Sequence, residues 1–380
     1  MTRVYVTGVG LHPFGRFDGK SYLDLGREAA HLALRDADIS WSDVDAAYLA
    51  RMYLPATSAP RIFKQLGATG ISSCDVEAAC ASGGVAIRQA IMGIASGAFD
   101  TVMVLGVEKM PRGFMDPTMI YEPWQIAMGL AVNPSYWAMR ARRHMHEFGT
   151  TEHDIARVAV KNHRNSTHNP FAMYQKAFTT EEILGSRLVC DPIRLLEICA
   201  PNDGSAAIVL RSERRARAAR KRIEVVASAH TLARYSSDFR SPESSMSARA
   251  SNSGPTTVTA RLAYDQAGLG PQDIDCFEVQ DTDAFCELEA YEDLGLCAVG
   301  HGAELVRSGA CEMGGRHPVN MSGGLISKGE PVGASHLGQV VELVWQLRGE
   351  AGARQVDRAG TGLAHVLGAG GHCAVTILKT

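Results

Sequence analysis

The strongest constraint on the fold is the alternation of strand-like and helix-like segments along the chain. Periodicity predicts strands at 4–10, 44–50, 101–110, 205–210, 223–231, 273–282 and 373–378. It predicts helices at 21–37, from the Cys80 segment to about 95, and at 257–268, 284–294 and about 336–349. Such alternation is typical of a layered α/β protein. The order of predicted strands and helices in the second half is similar to that in the first half. We therefore expect two related halves, although no residue-level repeat is visible.

Residues 111–185 interrupt this alternation. They are rich in Met, His, Tyr and Trp, and Thr151 with Asp154 resembles a helix capping box. We expect this segment to lie over the α/β body as a substrate lid. The expected division is 1–110 for the first part of the N-terminal half, 111–185 for the loop domain, 186–222 for the return and connection, and 223–380 for the C-terminal half.

Charge and cysteine content exclude several classes of protein. The chain has 38 Lys and Arg against 41 Asp and Glu, so no basic excess indicates a nucleic-acid partner. The basic run at 211–222 is either a solvated connection or a contact for an anionic ligand. No apolar run predicts a membrane span, and the N-terminus resembles a strand rather than a signal peptide. The nine cysteines lack zinc-like spacing, so we expect free thiols, no metal and a cytoplasmic location.

Cys80, in EAACASGGVAIRQA (77–90), is the candidate nucleophile. It stands between a strand-like and a helix-like segment, where the N–H groups and dipole of the helix favour a thiolate and lower the pKa of the thiol. The neighbouring Ala, Ser and Gly residues leave room for an acyl group and for backbone N–H donors. The alternative is a structural cysteine in a tight turn, and the local pattern leaves both open.

Six blocks of sequence carry a resemblance to a known family. In chain order they are VYVTGVGLHPFGRF (4–17), EAACASGGVAIRQA (77–90), NDGSAAIVL (202–210), FEVQDTDAFCELEAYEDLGLC (277–297), NMSGGLISKGEPVGASHLGQ (320–339) and AHVLGAGGHCAVTIL (364–378). Together they resemble the thiolases, most closely the sterol-carrier/lipid-transfer branch of that superfamily.

The resemblance covers nearly the whole chain and has several implications. It implies duplicated βαβαβαββ halves in a five-layer α/β/α/β/α core, with a loop domain over the active site. It also implies a homodimer or tetramer and a coenzyme A thioester as substrate, with no permanently bound cofactor. Cys80 matches the acyl-accepting cysteine of the family.

Two departures from the family pattern concern proton transfer. Where relatives carry His-Asp-Cys-Phe, this chain has Gln280-Asp281-Thr282-Asp283. The resemblance implies that Gln280 takes the place of a histidine that binds a thioester oxygen, and its amide still donates a hydrogen bond. Thr282 takes the place of a cysteine that exchanges protons, and a hydroxyl is a far poorer acid or base. The alternative for Gln280 is a strand-end residue bonded to backbone.

The second departure is in the glycine-rich block, where thiolases have Gly-His-Pro and this chain has Gly329-Glu330-Pro331. Glu330 hydrogen-bonds a thioester oxygen only if it is protonated, which burial favours. As a carboxylate it accepts a proton instead, but its charge beside Cys80 disfavours a thiolate. His336, six residues later, has the intrinsic pKa for pairing with a thiol. The sequence leaves open which of the two is the base, and either residue is alternatively structural.

The last block offers further candidates. His365 falls near the second cysteine of biosynthetic thiolases and is a plausible second polar group. Cys373 is expected to serve packing, and His317 is a weaker candidate for the site. No oxyanion donor is assigned in GAGG (368–371), and no glycine motif has the form of a nucleotide-binding loop.

Three functions fit these observations. The first is an acyltransferase that carries the acyl group on Cys80 and transfers it to a carbon nucleophile or to coenzyme A. The second is a thiolase-like retro-aldolase, or lyase, acting on coenzyme A thioesters with a small OB-fold partner that often has a zinc ribbon. The third is a catalytically altered lipid- or acyl-binding scaffold. An intact Cys80 environment favours the first.

Overall fold

The computed structural model describes residues 2–113, 115–119, 121–129, 132–232 and 254–380. Its strands are β1 (Val4–Gly15), β2 (Ala46–Ala50), β3 (Ser72–Val76), β4 (Thr101–Lys109), β5 (Leu188–Cys190), β6 (Ile193–Arg194), β7 (Asp203–Ser212), β8 (Ile223–Thr231), β9 (Cys276–Glu278), β10 (Thr361–Gly368) and β11 (His372–Lys379). Its helices are α1 (Tyr22–Asp36), α2 (Ser58–Phe63), α3 (Ser82–Ala95), α4 (Pro123–Ala127), α5 (Asn133–Phe148), α6 (Glu152–Ser166), α7 (Thr180–Leu184), α8 (Glu213–Ala216), α9 (Pro255–Ala267), α10 (Ala284–Asp293), α11 (Gly302–Arg307) and α12 (Val332–Arg348).

Within the described residues, nine strands form one mixed sheet. Their order is β3-β2-β4-β7-β1-β8-β11-β10-β9. The first five strands come from the N-terminal half and the last four from the C-terminal half. The two groups join where β1 pairs with β8 at Tyr5–Glu224 and Val6–Ile223. The two halves therefore share one hydrogen-bonded framework.

Helices lie on both sides of each group of strands. Helix α1 packs on β1, β4 and β7, and α9 packs on β8 and β11. Helices α3 and α12 touch each other and also touch strands of both groups, with a buried apolar cluster around them. The order is thus helix, strands, paired helices, strands, helix. This confirms the predicted fold class of a five-layer α/β/α/β/α core.

The segment between β4 and β7 holds α4 to α7 and the β5–β6 hairpin. Its apolar residues pack with Phe285 and Leu288 of α10. The predicted capping box is present, because Thr151 accepts from the Asp154 N–H and Asp154 accepts from the Thr151 N–H. Backbone N–H groups of Met173 and Tyr174 donate to the carbonyls of Lys328 and Ser327. The segment therefore contacts the glycine-rich loop, which includes a π-helical turn at Gly324–Lys328.

Some element boundaries differ from the prediction. Helix α12 begins at Val332 rather than near 336. Its Gly333 packs closely on the end of β2, where an added Cβ would lie 2.7 Å from the Ala50 carbonyl oxygen. The strand predicted at 273–282 spans only Cys276–Glu278. Strand β10 was not predicted. Residues 233–253, which belong to the predicted C-terminal half, lie outside the described residues. In the described part of the chain, no helix is both long and apolar enough to cross a bilayer.

Candidate active site

Cys80 lies in a tight turn between β3 and α3. A single 3₁₀ turn, Ala79–Ala81, connects the two elements, and Ala79 has a left-handed φ of 48°. The Ser82 hydroxyl accepts from the Ala78 N–H at 2.8 Å and donates to the Ala79 carbonyl at 2.6 Å. The Glu77 carboxylate accepts from the Ala79 N–H at 2.8 Å. These bonds hold an unfavourable backbone conformation and present a partly exposed cysteine.

Gly368, at the end of β10, lies directly against this turn. A Cβ added there would lie 2.9 Å from the Ala78 carbonyl oxygen and 3.3 Å from the Cys80 nitrogen. The backbone N–H groups of the next residue, Ala369, and of Cys80 itself lie close enough to the Cys80 sulfur to lower the pKa of the thiol. The GAGG segment, to which the sequence assigned no role, therefore supplies a donor at the sulfur.

We expect Gly368→Ala to slow acylation of Cys80 by about 10- to 100-fold, because the strand or the turn must shift by a fraction of an ångström and misalign both N–H donors. The rate of acyl-enzyme formation, followed by intact mass, checks this result. Gly19→Ala is the matched control, since nothing lies within 4 Å of a Cβ added at that glycine. Equal rates for both variants would remove Gly368 from the site.

Glu330, which belongs to the glycine-rich loop, lies beside the Cys80 sulfur. Its carboxyl is buried and lies close enough to the thiols of Cys80 and Cys199 for both to lower its pKa. It accepts a hydrogen bond from Gln280 Nε2 at 2.7 Å. Burial raises the pKa of this carboxyl above its ordinary value, while the three neighbouring groups oppose that shift. Three segments that are distant in sequence thus bring polar groups to one carboxyl.

The pKa of the Cys80 thiol is raised, whereas the sequence predicted that the helix N-terminus would lower it. Burial is the largest cause, followed by the charge of Glu330 and the hydrogen bond to it. The two backbone N–H groups oppose the shift without reversing it. The resting sulfur is therefore held as a thiol beside Glu330.

Gln280 is held at the same place by two bonds. Its Nε2 donates to the Thr282 hydroxyl at 3.1 Å as well as to Glu330. Its Oε1 is buried and has no protein partner. The Tyr53 hydroxyl is also buried without a partner, and the charges of Cys80 and Glu330 both act on it.

The structure does not bring His336 or His365 to the sulfur. His336 Nδ1 contacts Gln339 Oε1 at 2.9 Å, and its Nε2 contacts the Thr376 hydroxyl at 3.2 Å. His365 Nε2 contacts the Thr256 hydroxyl at 3.0 Å. Burial lowers the pKa of His336 to about 4 and that of His365 to about 3. Both rings are neutral and lie inside the core.

The contacts of the other two candidates, His317 and Cys373, do not include Glu330. His317 packs on Phe277, and its backbone N–H donates to the Ala310 carbonyl. Cys373 is buried in β11 beside Thr256. Sequence reasoning missed Cys199 because it lies in an unremarkable segment before β7. Across the described ranges, no three His, Cys, Asp or Glu side chains are grouped as metal ligands.

Comparison with known proteins identifies the family. Residues 4–214 match the thiolase N-terminal domain, and residues 240–380 match the thiolase C-terminal domain-like family. This chain belongs to the thiolase family. The resemblance to its sterol-carrier and lipid-transfer branch is confirmed by relatives of both names.

Individual thiolase relatives differ in their named activities. The chain is 39% identical to an acetyl-CoA acetyltransferase of Methanothermobacter thermautotrophicus, with 100% of both chains covered. It is 36% identical to sterol carrier protein 2 of Oryctolagus cuniculus, with 100% of this chain and 72% of that protein covered. Its structure matches the Ltp2-ChsH2(DUF35) aldolase at 27% identity and a TM-score of 0.86, with 100% of this chain and 98% of that chain covered.

Proposed function

We propose that this thiolase is an acyltransferase that carries an acyl group on the sulfur of Cys80. The observation that supports the proposal is the proximity of a partly exposed Cys80 thiol to the buried Glu330 carboxyl, each of which shifts the pKa of the other. A nucleophile beside a base is what covalent acyl transfer requires. The name of the Methanothermobacter relative supports an acyl-CoA as donor.

In the proposed first half-reaction, Glu330 takes the thiol proton while the Cys80 sulfur attacks the thioester carbonyl. The backbone N–H groups of Cys80 and Ala369, which face the sulfur, would stabilise the oxygen that becomes negative. The thiol of coenzyme A then leaves with the proton that Glu330 took from Cys80, so Glu330 returns to its carboxylate form. In the second half-reaction the acyl group passes to a carbon nucleophile or to coenzyme A.

The roles of the remaining residues are part of the same proposal. Gln280 positions Glu330 through the 2.7 Å bond. His336 and His365, both neutral and buried, support the layers behind the turn rather than exchange protons with Cys80. The proposal keeps the expected division of the chain into a loop domain and two halves. It also includes assembly as a homodimer or tetramer, with no permanently bound cofactor.

A second candidate is a retro-aldolase that acts on coenzyme A thioesters with a DUF35-type partner. The structural match to the Ltp2-ChsH2(DUF35) aldolase at a TM-score of 0.86 favours it. An aldolase does not need an acyl-cysteine, so the contact between Cys80 and Glu330 has no evident role in that reaction. This contact is the reason for preferring the acyltransferase.

The test is to incubate the protein with acetyl-CoA and longer acyl-CoAs and to record its intact mass. We expect the wild type to gain the mass of one acyl group and Cys80→Ala to gain none, because the sulfur carries the acyl group. Peptide mapping locates the modification. Absence of a gain with every thioester, with or without a DUF35-type partner, would favour the lyase or a non-catalytic scaffold.

A further inference from the structure

A buried carboxylate next to Gln280 is bonded both to the glycine-rich loop and to helix α6, and the proposed reaction does not use it. Asp281 is fully buried, and its Oδ1 accepts from the Leu325 N–H at 2.6 Å. Its Oδ2 accepts from the Ile326 N–H at 3.2 Å and from Asn162 Nδ2 at 2.9 Å. A carboxylate without water is costly unless hydrogen bonds compensate it, so these donors fix where Asp281 lies.

The carboxylate fits against the start of the π-helical turn Gly324–Lys328 because residue 324 is a glycine. Gly324 has a left-handed φ of 61°, and a Cβ added there would collide with Asp281 Oδ2. A side chain at this position would therefore push the carboxylate away from the N–H groups of the turn. Such π-helical turns are rare and occur frequently at functional sites. The shape of the turn thus depends on Gly324 and Asp281 together.

The two segments that Asp281 joins carry the two ends of the hydrogen bond at the proposed base. Gln280 directly precedes Asp281 in the chain, and Glu330 is the second residue after the π-helical turn. Gln280 Nε2 donates to Glu330 Oε1 at 2.7 Å. Asp281 therefore fixes the distance between the backbone segments across which this side-chain bond forms.

Helix α6 attaches the same carboxylate to α10. Asn162 Nδ2 donates to Glu287 Oε2 at 2.6 Å as well as to Asp281. Glu287 is paired with Lys161 at 2.7 Å, and Lys161 Nζ donates to the Val319 carbonyl at 2.6 Å. This buried network holds α6, α10 and the segment before the glycine-rich loop in one arrangement around Asp281.

We propose that Asp281 is a positioning residue that keeps the bond between Gln280 and Glu330 in place. Through that bond it aligns the base with the Cys80 sulfur. The inference rests on the proposed acyltransferase function. The three donors to the Asp281 carboxylate are two backbone N–H groups and an amide, so its role is to hold the loop rather than to exchange a proton.

Asp281→Asn is the first test. The amide oxygen still accepts from one backbone N–H, but the new NH₂ group faces the other N–H and Asn162 Nδ2, which are both donors. We expect the maximal rate of Cys80 acylation at saturating acyl-CoA to fall by about 10- to 100-fold, because a small displacement misplaces the base. The acyl-CoA concentration that gives half of this rate should change by less than about threefold. Rapid quenching and intact mass measure both quantities.

The pH dependence distinguishes a lost alignment from a lost charge. The bond from Gln280 lowers the pKa of Glu330 and opposes the effect of burial. Loss of that bond should move the acid limb of the acylation rate to higher pH. Loss of the Asp281 charge alone would move it to lower pH, because a neighbouring negative charge raises the pKa of a carboxyl. The other titratable groups around Glu330 are unchanged in the variant, namely Cys80, Cys199 and Tyr53.

Two comparisons separate this role from a general loss of stability. Asp275→Asn is the matched control, since Asp275 Oδ2 accepts from the Gly360 and Thr361 N–H groups at 2.8 and 2.9 Å. It should keep the acylation rate and the pH profile of the wild type. In a double-mutant cycle, the effects of Gln280→Leu and Asp281→Asn on the rate should not add, because both variants act through the same bond.

Asn162→Ala is a second variant, which decides the matter if Asp281→Asn does not fold. It removes the donor that α6 supplies to Asp281 and leaves the two backbone donors in place. We expect the maximal rate to fall by about three- to tenfold, with the acid limb again moved to higher pH.

Three outcomes would overturn the inference. They are a wild-type maximal rate in Asp281→Asn or Asn162→Ala, additive effects in the double-mutant cycle, and an acid limb that stays in place or moves to lower pH. A wild type that no acyl-CoA acylates would instead overturn the proposed function, so the two failures are distinguishable.

Discussion

Glu330→Gln is expected to slow acylation of Cys80 by an acyl-CoA by about 10²- to 10⁴-fold. The amide has nearly the same shape and still accepts a hydrogen bond from Gln280, but it does not take a proton from the thiol. Acyl-enzyme formation in single-turnover mixtures, followed by intact mass, measures the effect.

Glu197→Gln is the matched control for this variant. Burial raises the pKa of the Glu197 carboxyl to about 8, so it is largely protonated at neutral pH and an amide replaces it with little change in charge. We expect the control to be acylated at the wild-type rate. If Glu330→Gln also keeps that rate, Glu330 is not the base.

Glu330→Gln is also expected to change how the rate of Cys80 acylation depends on pH. Glu330 acts as a base only when ionised, and burial raises its pKa above the ordinary 4.5. The acylation rate of the wild type should therefore fall on acidification around a midpoint above pH 4.5, and this limb should be absent in Glu330→Gln. Removal of the carboxylate should also lower the pKa of the Cys80 thiol, because the charge of Glu330 now raises it. Thiolate absorbance, read against Cys80→Ala backgrounds, measures that shift.

His336→Gln is expected to reduce the acid sensitivity of folding. The pKa of His336 is about 4 in the folded protein against an ordinary 6.5, so below pH 6.5 the unfolded chain binds the proton first. The stabilising effect of the neutral ring is thus fully present above pH 6.5 and is lost as pH falls towards 4. Between pH 7 and pH 5 this one group lowers the free energy of unfolding by about 2 kcal/mol, at 1.36 kcal/mol for each pH unit.

Urea unfolding at both pH values, at fixed protein concentration, measures the difference. The decrease from pH 7 to pH 5 should be about 2 kcal/mol smaller in His336→Gln than in the wild type. His301→Gln is the control, because that ring is exposed and does not contribute a buried neutral histidine. An identical pH dependence in wild type and His336→Gln would show that His336 is protonated at little cost and is not sealed in the core.

Much of this architecture was predictable from local sequence. Alternating periodicity placed β1, β2, β4 and α1 because their side chains alternate or repeat at the period of the element. The small residues around Cys80 marked a tight turn at the start of a helix, and the turn is there. The six ordered blocks led to the thiolase family, and the family match and the layers agree with that prediction.

The arrangement of the proton-transfer groups was less predictable. The sequence left His336 open as a base near a helix start, but α12 begins four residues earlier and its second turn is enclosed between α3 and β11. Cys199 carried no local signal, because its place comes from Thr282 and Leu325, which hold its segment against Glu330.

The sequence by itself determined the layered fold, the family and the residue types available for chemistry, because these follow from periodicity and from short ordered motifs. The tertiary structure decided which of those residues meet. It brought Cys80, Cys199, Gln280 and Glu330 together from four separate segments. It also decided that the pKa of Cys80 is raised, because burial and a neighbouring charge act through space and outweigh the local effect of the helix N-terminus.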